Sequence, residues 1–160
     1  MRDFSSVRRV VVKVGTNLLS SSTGIDKERI QIIVDEISEL KKKGYQIILV
    51  SSGAVGLGAK AIGHLNPVKY IPLKQACASI GQPLLMRAYE EEFSRHGLLC
   101  SQILISRSSL NNRKSYNNLR ASVGVLLDLG VVPIFNENDV VSTSEIGDNF
   151  GDNDRMSAYC

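Results

Sequence analysis

A chain of 160 residues is the length of one ordinary domain, which argues against two independent cores. Hydrophobic residues make up 43% and charged residues 22%, a normal globular balance with enough apolar surface to bury a core. The formal charge of +3 is small and dispersed, and no concentrated basic stripe marks a nucleic-acid surface. Its densest run, Lys41-Lys42-Lys43, falls at the end of a predicted helix, where the dipole favours cations, and reads as a solvated face.

The three cysteines, Cys77, Cys100 and Cys160, are widely spaced and form no CxxC pair. Cys77 and Cys100 have small or apolar neighbours and read as buried thiols, and an odd count without metal spacing favours a reducing compartment. Residues 1–6 lack the apolar core of a signal peptide, and no apolar run approaches the ~20 residues of a membrane span. A soluble, cytoplasmic protein is expected.

In chain order, Val7 to Val14 is a β-branched run ended by Gly15, the pattern of a strand covered on both faces. Asp26 can cap a helix in which Ile30, Ile33, Val34, Ile37 and Leu40 recur at helical spacing, stopping at Gly44. Tyr45 to Val50 is a second buried strand, so a right-handed βαβ unit and a parallel sheet are expected. Ala54 to Gly63 reads as a glycine-rich helix, followed by a loop around Asn66-Pro67. Leu73 to Ile80 and Leu84 to His96 read as two helices broken at Gly81-Gln82-Pro83. Leu99 to Ser106 is a third strand, Lys114 to Leu129 a long helix ended by Gly130, and Val131 to Phe135 a fourth strand. Asn136 to Asp139 then form a turn, a loop runs to Gly151, and Asp154 to Cys160 open another helix. The whole reads as part of an α/β domain.

Open parallel sheets bind ligands beyond the carboxyl ends of their strands, where backbone N–H groups and helix amino ends converge. Lys13-Val14-Gly15-Thr16-Asn17 follows the first strand and Ser51-Ser52-Gly53-Ala54-Val55-Gly56 the second. Ser51-Ser52-Gly53 is either a helix cap or an anion-approaching loop. Gly56-Leu57-Gly58 begins like a dinucleotide fingerprint, but the third glycine comes at 63, too late for GxGxxG, and no P-loop motif occurs. Asn136-Glu137-Asn138-Asp139 and Gly151-Asp152-Asn153-Asp154 leave the fourth strand and return after a short loop. Together they offer carboxylates and amides suited to an ammonium group and to orienting a lysine. His64 and His96 flank glycines near helix ends and read as exposed or capping residues.

These segments, with Val11-Val12-Lys13-Val14-Gly15-Thr16 and Pro133-Ile134-Phe135 ahead of the first acidic turn, occur in order across essentially the whole chain. They resemble the glutamate 5-kinase family, including the kinase portion of bifunctional pyrroline-5-carboxylate synthases, within the amino acid kinase superfamily. The two acidic turns are the more specific part of the match. The resemblance implies a three-layer αβα sandwich with a mostly parallel sheet, of the amino acid kinase or carbamate kinase type. It also implies transfer from ATP, with Mg²⁺, to the 5-carboxylate of L-glutamate for proline synthesis, with proline as feedback inhibitor and homo-oligomers in many members. By position, Ser52, Asp139 and Asn153 match the glutamate-binding residues. Lys13 matches the phosphate-contacting lysine, with Gly15 and Gly53 contributing N–H groups, and Asp154 the carboxylate that positions the lysine. No protein ligands to a metal are assigned.

Family members continue with further strands that carry the nucleotide contacts. Residues 1–160 are therefore expected to be the amino-acid-binding part of the kinase domain, binding glutamate weakly or not at all and showing no turnover alone. A non-catalytic binding or oligomerisation fragment, another amino acid kinase such as acetylglutamate kinase or aspartokinase, and a nicotinamide-dependent enzyme are the rivals. Asp139 counts against acetylglutamate, whose α-nitrogen is acylated and uncharged, and the misplaced glycine counts against the nicotinamide enzyme.

Overall fold

The computed structural model describes residues 6–21, 24–141 and 157. The elements are β1 (Arg9–Val14), α1 (Thr16–Leu19), β2 (Ser20–Ser21), β3 (Gly24–Ile25), α2 (Lys27–Lys42), β4 (Gln46–Ser51), α3 (Ala54–Ala61), α4 (Ile71–Arg95), β5 (Cys100–Ile105), α5 (Arg107–Asn111), α6 (Arg113–Asp128) and β6 (Val132–Glu137). The four longer strands form one sheet in the order β1-β4-β6-β5, every pair parallel, and β2 and β3 form a separate antiparallel pair. Pro133 can sit in an inner strand because the β4 ladder engages β6 only at Ile134 and Phe135, beyond the missing N–H.

Chain direction across the sheet decides which face each helix covers. The steps β1 to β4 and β4 to β5 run one way and β5 to β6 runs back. Right-handed crossovers therefore put α2, α3 and α4 on one face and α6 on the other. The buried residues divide accordingly. Val14, Ile47, Leu49 and Ile134 of the sheet pack with Ile30, Val34, Leu57, Leu85, Tyr89 and Phe93, while Ile48, Val50, Ile105 and Phe135 pack with Val123 and Leu127. The result is the three-layer αβα arrangement, with the four strands expected from the sequence present and parallel.

One expected break is absent. Gly81-Gln82-Pro83 does not split two helices, because α4 runs unbroken from Ile71 to Arg95 with Pro83 inside it. The glycine serves packing instead of termination. A Cβ added at Gly81 would stand 1.8 Å from the Ala54 carbonyl oxygen, and one at Gly58 1.8 Å from that of Cys77. Helices α3 and α4 thus touch backbone to backbone, an approach only glycine permits. Pro83 removes one amide donor. Leu85, Ala88, Tyr89 and Phe93 beyond it are buried in the cluster against the sheet, and Cys77 and Ala78 before it are buried as well, Cys77 against Gly58 of α3, so both halves are held in place. Gly56 and Gly58, whose spacing begins but does not complete a dinucleotide fingerprint, both lie within helix α3, in the glycine-rich helix expected there.

The helix ends follow their chemistry. Asp26 Oδ1 accepts from the Arg29 N–H at 3.0 Å and caps α2, and Asn112 Oδ1 does the same for Ser115 at the start of α6. Replacing Asp26 with alanine is expected to cost about 1 kcal/mol, read as a lower urea midpoint at unchanged slope. The lysine run at the end of α2 is not uniformly solvated. Lys41 donates to the Gly130 carbonyl at 2.7 Å and its burial lowers its pKa, while Lys42 pairs with Glu39 at 2.7 Å. The chain reversal before β6 needs a donor on its carbonyl, and Lys41 supplies it. His96 closes α4 and lies 2.7 Å from Asp35, which ties α4 to α2. No helix among the described residues is long and apolar enough to cross a membrane.

Candidate functional site

The carboxyl ends of β1, β4 and β6 lie side by side in the sheet, and the amino end of α3 and the first turn of α4 rise beside them. They enclose a cleft of about 200 Å³ whose walls include Thr16, Ser52, Gly53, Lys74, Glu137 and Asp139. This is where a parallel sheet receives a ligand, because the strand directions and the helix dipole both bring N–H groups to that edge.

Each wall has a local cause. Gly53 is the N-cap of α3 with φ +100°, a left-handed conformation that disfavours any side chain, and its carbonyl accepts from the Leu57 N–H at 3.0 Å. No side chain caps that helix from Gly53, so its first turn, Ala54 to Gly56, opens on the cleft. Ser51, just before it, is fully buried and lies 3.0 Å from the Tyr89 hydroxyl of α4, whose pKa burial pushes up to about 12. That contact fixes the end of β4 and leaves Ser52 at the cleft wall.

The end of β6 is held as firmly. Asn136 and Glu137, expected to begin the turn, extend the strand, pairing with Leu104 and Ile105 of β5. Asn136 is buried; its amide donates to Gln82 Oε1 at 2.8 Å, and its Oδ1 accepts from the Glu137 N–H at 2.9 Å. A buried amide pair of this kind joins β6 to α4 and sets the direction in which Glu137 and Asp139 leave the sheet.

Asp139 is largely buried, with 15% of its side chain exposed. Burial raises its pKa, the Glu137 carboxylate raises it further, and Lys74 pulls it back down. The Lys74 ammonium lies 3.9 Å from Asp139 Oδ1. Lys74 belongs to the first turn of α4, the end of a helix where the dipole disfavours a cation. That misplacement is the signal the sequence offers for Lys74; Thr16, Ala54 to Gly56, Asn136 and Glu137, present in the strand-end motifs but given no individual role there, also line the cleft.

Of the residues expected to form the site, Ser52, Gly53 and Asp139 line the cleft together. Lys13 does not line it. Strand alternation sends Val12 and Val14 to the α2–α4 face, so Lys13, exposed at the end of β1, points to the other face, its Nζ 3.9 Å from where a Cβ on Gly15 would stand. Asn153 and Asp154 lie outside the described residues, as does the whole turn Gly151 to Asp154. Among the described residues no group of three or more His, Cys, Asp or Glu is placed to hold a metal ion.

The chain matches the amino acid kinase family over residues 8–160. It is 46% identical over 155 residues to "Glutamate 5-kinase 2" of Bacillus subtilis (strain 168), a match covering 96% of this chain and 41% of that protein. It is 43% identical over 158 residues to "Glutamate 5-kinase" of Thermus thermophilus, covering 99% of this chain and 42% of that protein. To "Glutamate 5-kinase" of Methanosarcina barkeri it is 42% identical over 162 residues, covering 96% and 42%. The chain therefore spans about two-fifths of the length of the curated relatives it matches. With a parallel αβα sheet, a cleft beyond its strand ends and a family match from residue 8 to residue 160, the chain belongs to the amino acid kinase family.

Proposed function

We propose that this chain forms the glutamate-binding part of a glutamate 5-kinase, which phosphorylates the 5-carboxylate of L-glutamate from ATP to give glutamyl 5-phosphate for proline synthesis. The observation that carries the reading is the cleft itself. Ser52 and Asp139, far apart in sequence, line it together, with the amino end of α3 as an anion-favouring wall.

The chemistry suits these residue types. A glutamate side-chain carboxylate, with an ordinary pKa near ~4.3, is already ionised at neutral pH, so the nucleophile needs no general base. What it needs is positioning, and positive charge where two anions meet. Asp139 supplies a counter-ion for the substrate's α-ammonium, Ser52 a hydroxyl, and the N–H groups around Gly53 a place for the 5-carboxylate. Asn153 is assigned to the glutamate as well. Lys13, above Gly15, is assigned to the transferring phosphoryl group, and Asp154 to holding that lysine. Mg²⁺, when present with ATP, neutralises phosphate charge, and such ions need only one or two protein carboxylates beside the phosphates. Proline inhibition and homo-oligomerisation belong to the same proposal.

Binding and turnover test it separately. The sequence alone leaves glutamate binding by the chain weak or absent. The assembled cleft narrows the expectation to weak but saturable binding, with N-acetyl-L-glutamate and L-aspartate weaker still, and an ATP-dependent assay of the chain alone is expected to show no turnover. Preference for the acetylated ligand would move the assignment to another amino acid kinase. In a complete kinase carrying this segment, Lys13→Ala is expected to lower kcat ~10²–10³-fold with little change in glutamate affinity. Equal losses in both would remove Lys13 from the phosphoryl group.

A further inference from the structure

Among the described residues Lys74 makes its ion pair with Asp139, and that contact is loose. At 3.9 Å it is well outside the ~2.7–2.9 Å of a charge-assisted hydrogen bond. The pair therefore holds its charges side by side while leaving Asp139 with acceptors, and Lys74 with donors, available to a third group. Lys74 also sits at the unfavourable end of α4, and among the described residues Glu137 and Asp139 are the other ionisable side chains along the cleft. An amino acid entering such a site brings an ammonium and a carboxylate on the same carbon. With the ammonium on Asp139, its α-carboxylate lies beside two protein carboxylates and one cation.

We propose that Lys74 takes the α-carboxylate of the amino-acid substrate, so that the Lys74–Asp139 pair reads the zwitterionic head group as one unit. Its side-chain carboxylate is thereby directed away, toward Gly53 and the amino end of α3. The inference rests on the reading of this cleft as a glutamate site and adds a specificity residue to it. Asp139 alone would accept any amine; the pair demands an amine with a carboxylate attached to the same carbon. Rejection of the α-amide and of the decarboxylated amine follows, because either leaves the Lys74 ammonium without its anion.

The test pairs ligand changes with side-chain changes, using the full chain and isothermal titration. L-glutamate, its α-amide (isoglutamine) and 4-aminobutyrate are titrated into the wild-type chain and into the Lys74→Met and Lys74→Arg variants. The wild-type chain is expected to prefer glutamate over isoglutamine by about tenfold or more, the size of one hydrogen bond to a charged group. Lys74→Met is expected to reduce that preference to near unity, mostly by weakening glutamate, and Lys74→Arg to retain it. A ligand-selective loss of this kind is not produced by a merely structural lysine. Equal loss for all three ligands, or an undiminished preference in Lys74→Met, would overturn the assignment of Lys74 and leave the glutamate site standing. No saturable glutamate binding by the wild-type chain would overturn the glutamate site itself.

Discussion

Gly81→Ala is expected to lower the thermal unfolding midpoint by about 6–12 °C. The new methyl would stand 1.8 Å from the Ala54 carbonyl oxygen and 2.6 Å from the Gly58 nitrogen, and neither is a flexible side-chain tip that can swing away. Helices α3 and α4 must separate, and overpacking of a well-packed contact costs about 3 kcal/mol, at roughly 2–4 °C per kcal/mol for a chain of this size. Gly58→Ala should behave alike, since its methyl meets the Cys77 carbonyl at the same separation. Gly124, inside α6 with nothing within 4 Å of an added Cβ, is the control. There alanine is expected to stabilise by about 0.5–1 kcal/mol through helix propensity alone. Scanning calorimetry on the three variants decides the matter, and a Gly81→Ala midpoint at or above wild type would contradict the backbone contact.

Asp139→Asn is expected to weaken L-glutamate binding by about thirtyfold or more, since removing one partner of a buried charge pair costs about 2–5 kcal/mol. It is also expected to stabilise the unliganded protein at neutral pH. Burial and the neighbouring Glu137 raise the Asp139 pKa, so the folded chain holds that proton more tightly than the unfolded chain does. Folding stability is then lost as pH rises from the ordinary aspartate range through the raised folded value, and it stays lost above it. Asparagine removes that charge and with it the penalty. The same shift sets the pH dependence of binding. As pH falls toward the raised pKa, Asp139 gains a proton and ceases to be a counter-ion, so glutamate affinity declines at a higher pH than a free aspartate would give. Titrations at several pH values, with thermal melts on the same samples, test both halves. A variant that binds glutamate normally would remove Asp139 from the site.

The strands were legible because buried parallel strands are written as β-branched runs bounded by glycine. Val10 to Val14, Ile47 to Val50 and Val132 to Phe135 need nothing else. Their order was not legible, since it depends on β5 stepping past the place that β6 later fills. The misread break at Gly81-Gln82-Pro83 has a specific origin. Glycine and proline end helices by local rules, whereas here glycine lets α3 approach and burial on both sides carries the helix past proline. The reach of Lys41 to Gly130 was hidden for a similar reason, because it joins two chain reversals that only the fold brings together.

The site was partly legible. Ser52, Gly53 and Asp139 follow strands, and the rule that ligands meet strand ends finds them. Lys74 lies on no strand end and belongs to no motif; it enters because α4 packs against α3 and Gln82 bonds Asn136. The face Lys13 takes was also readable from strand alternation, although its absence from the cleft lining was not.

The central claim is that the cleft beyond β1, β4 and β6 is a site for free L-glutamate. Backbone amide shifts of the ¹⁵N-labelled chain during an L-glutamate titration test it most directly. Saturable shifts are predicted at Ser52 to Gly56, Lys74 and Glu137 to Asp139, absent in Asp139→Asn and much smaller with N-acetyl-L-glutamate. Shifts confined to another part of the chain, or equal shifts with the acetylated ligand, would contradict it.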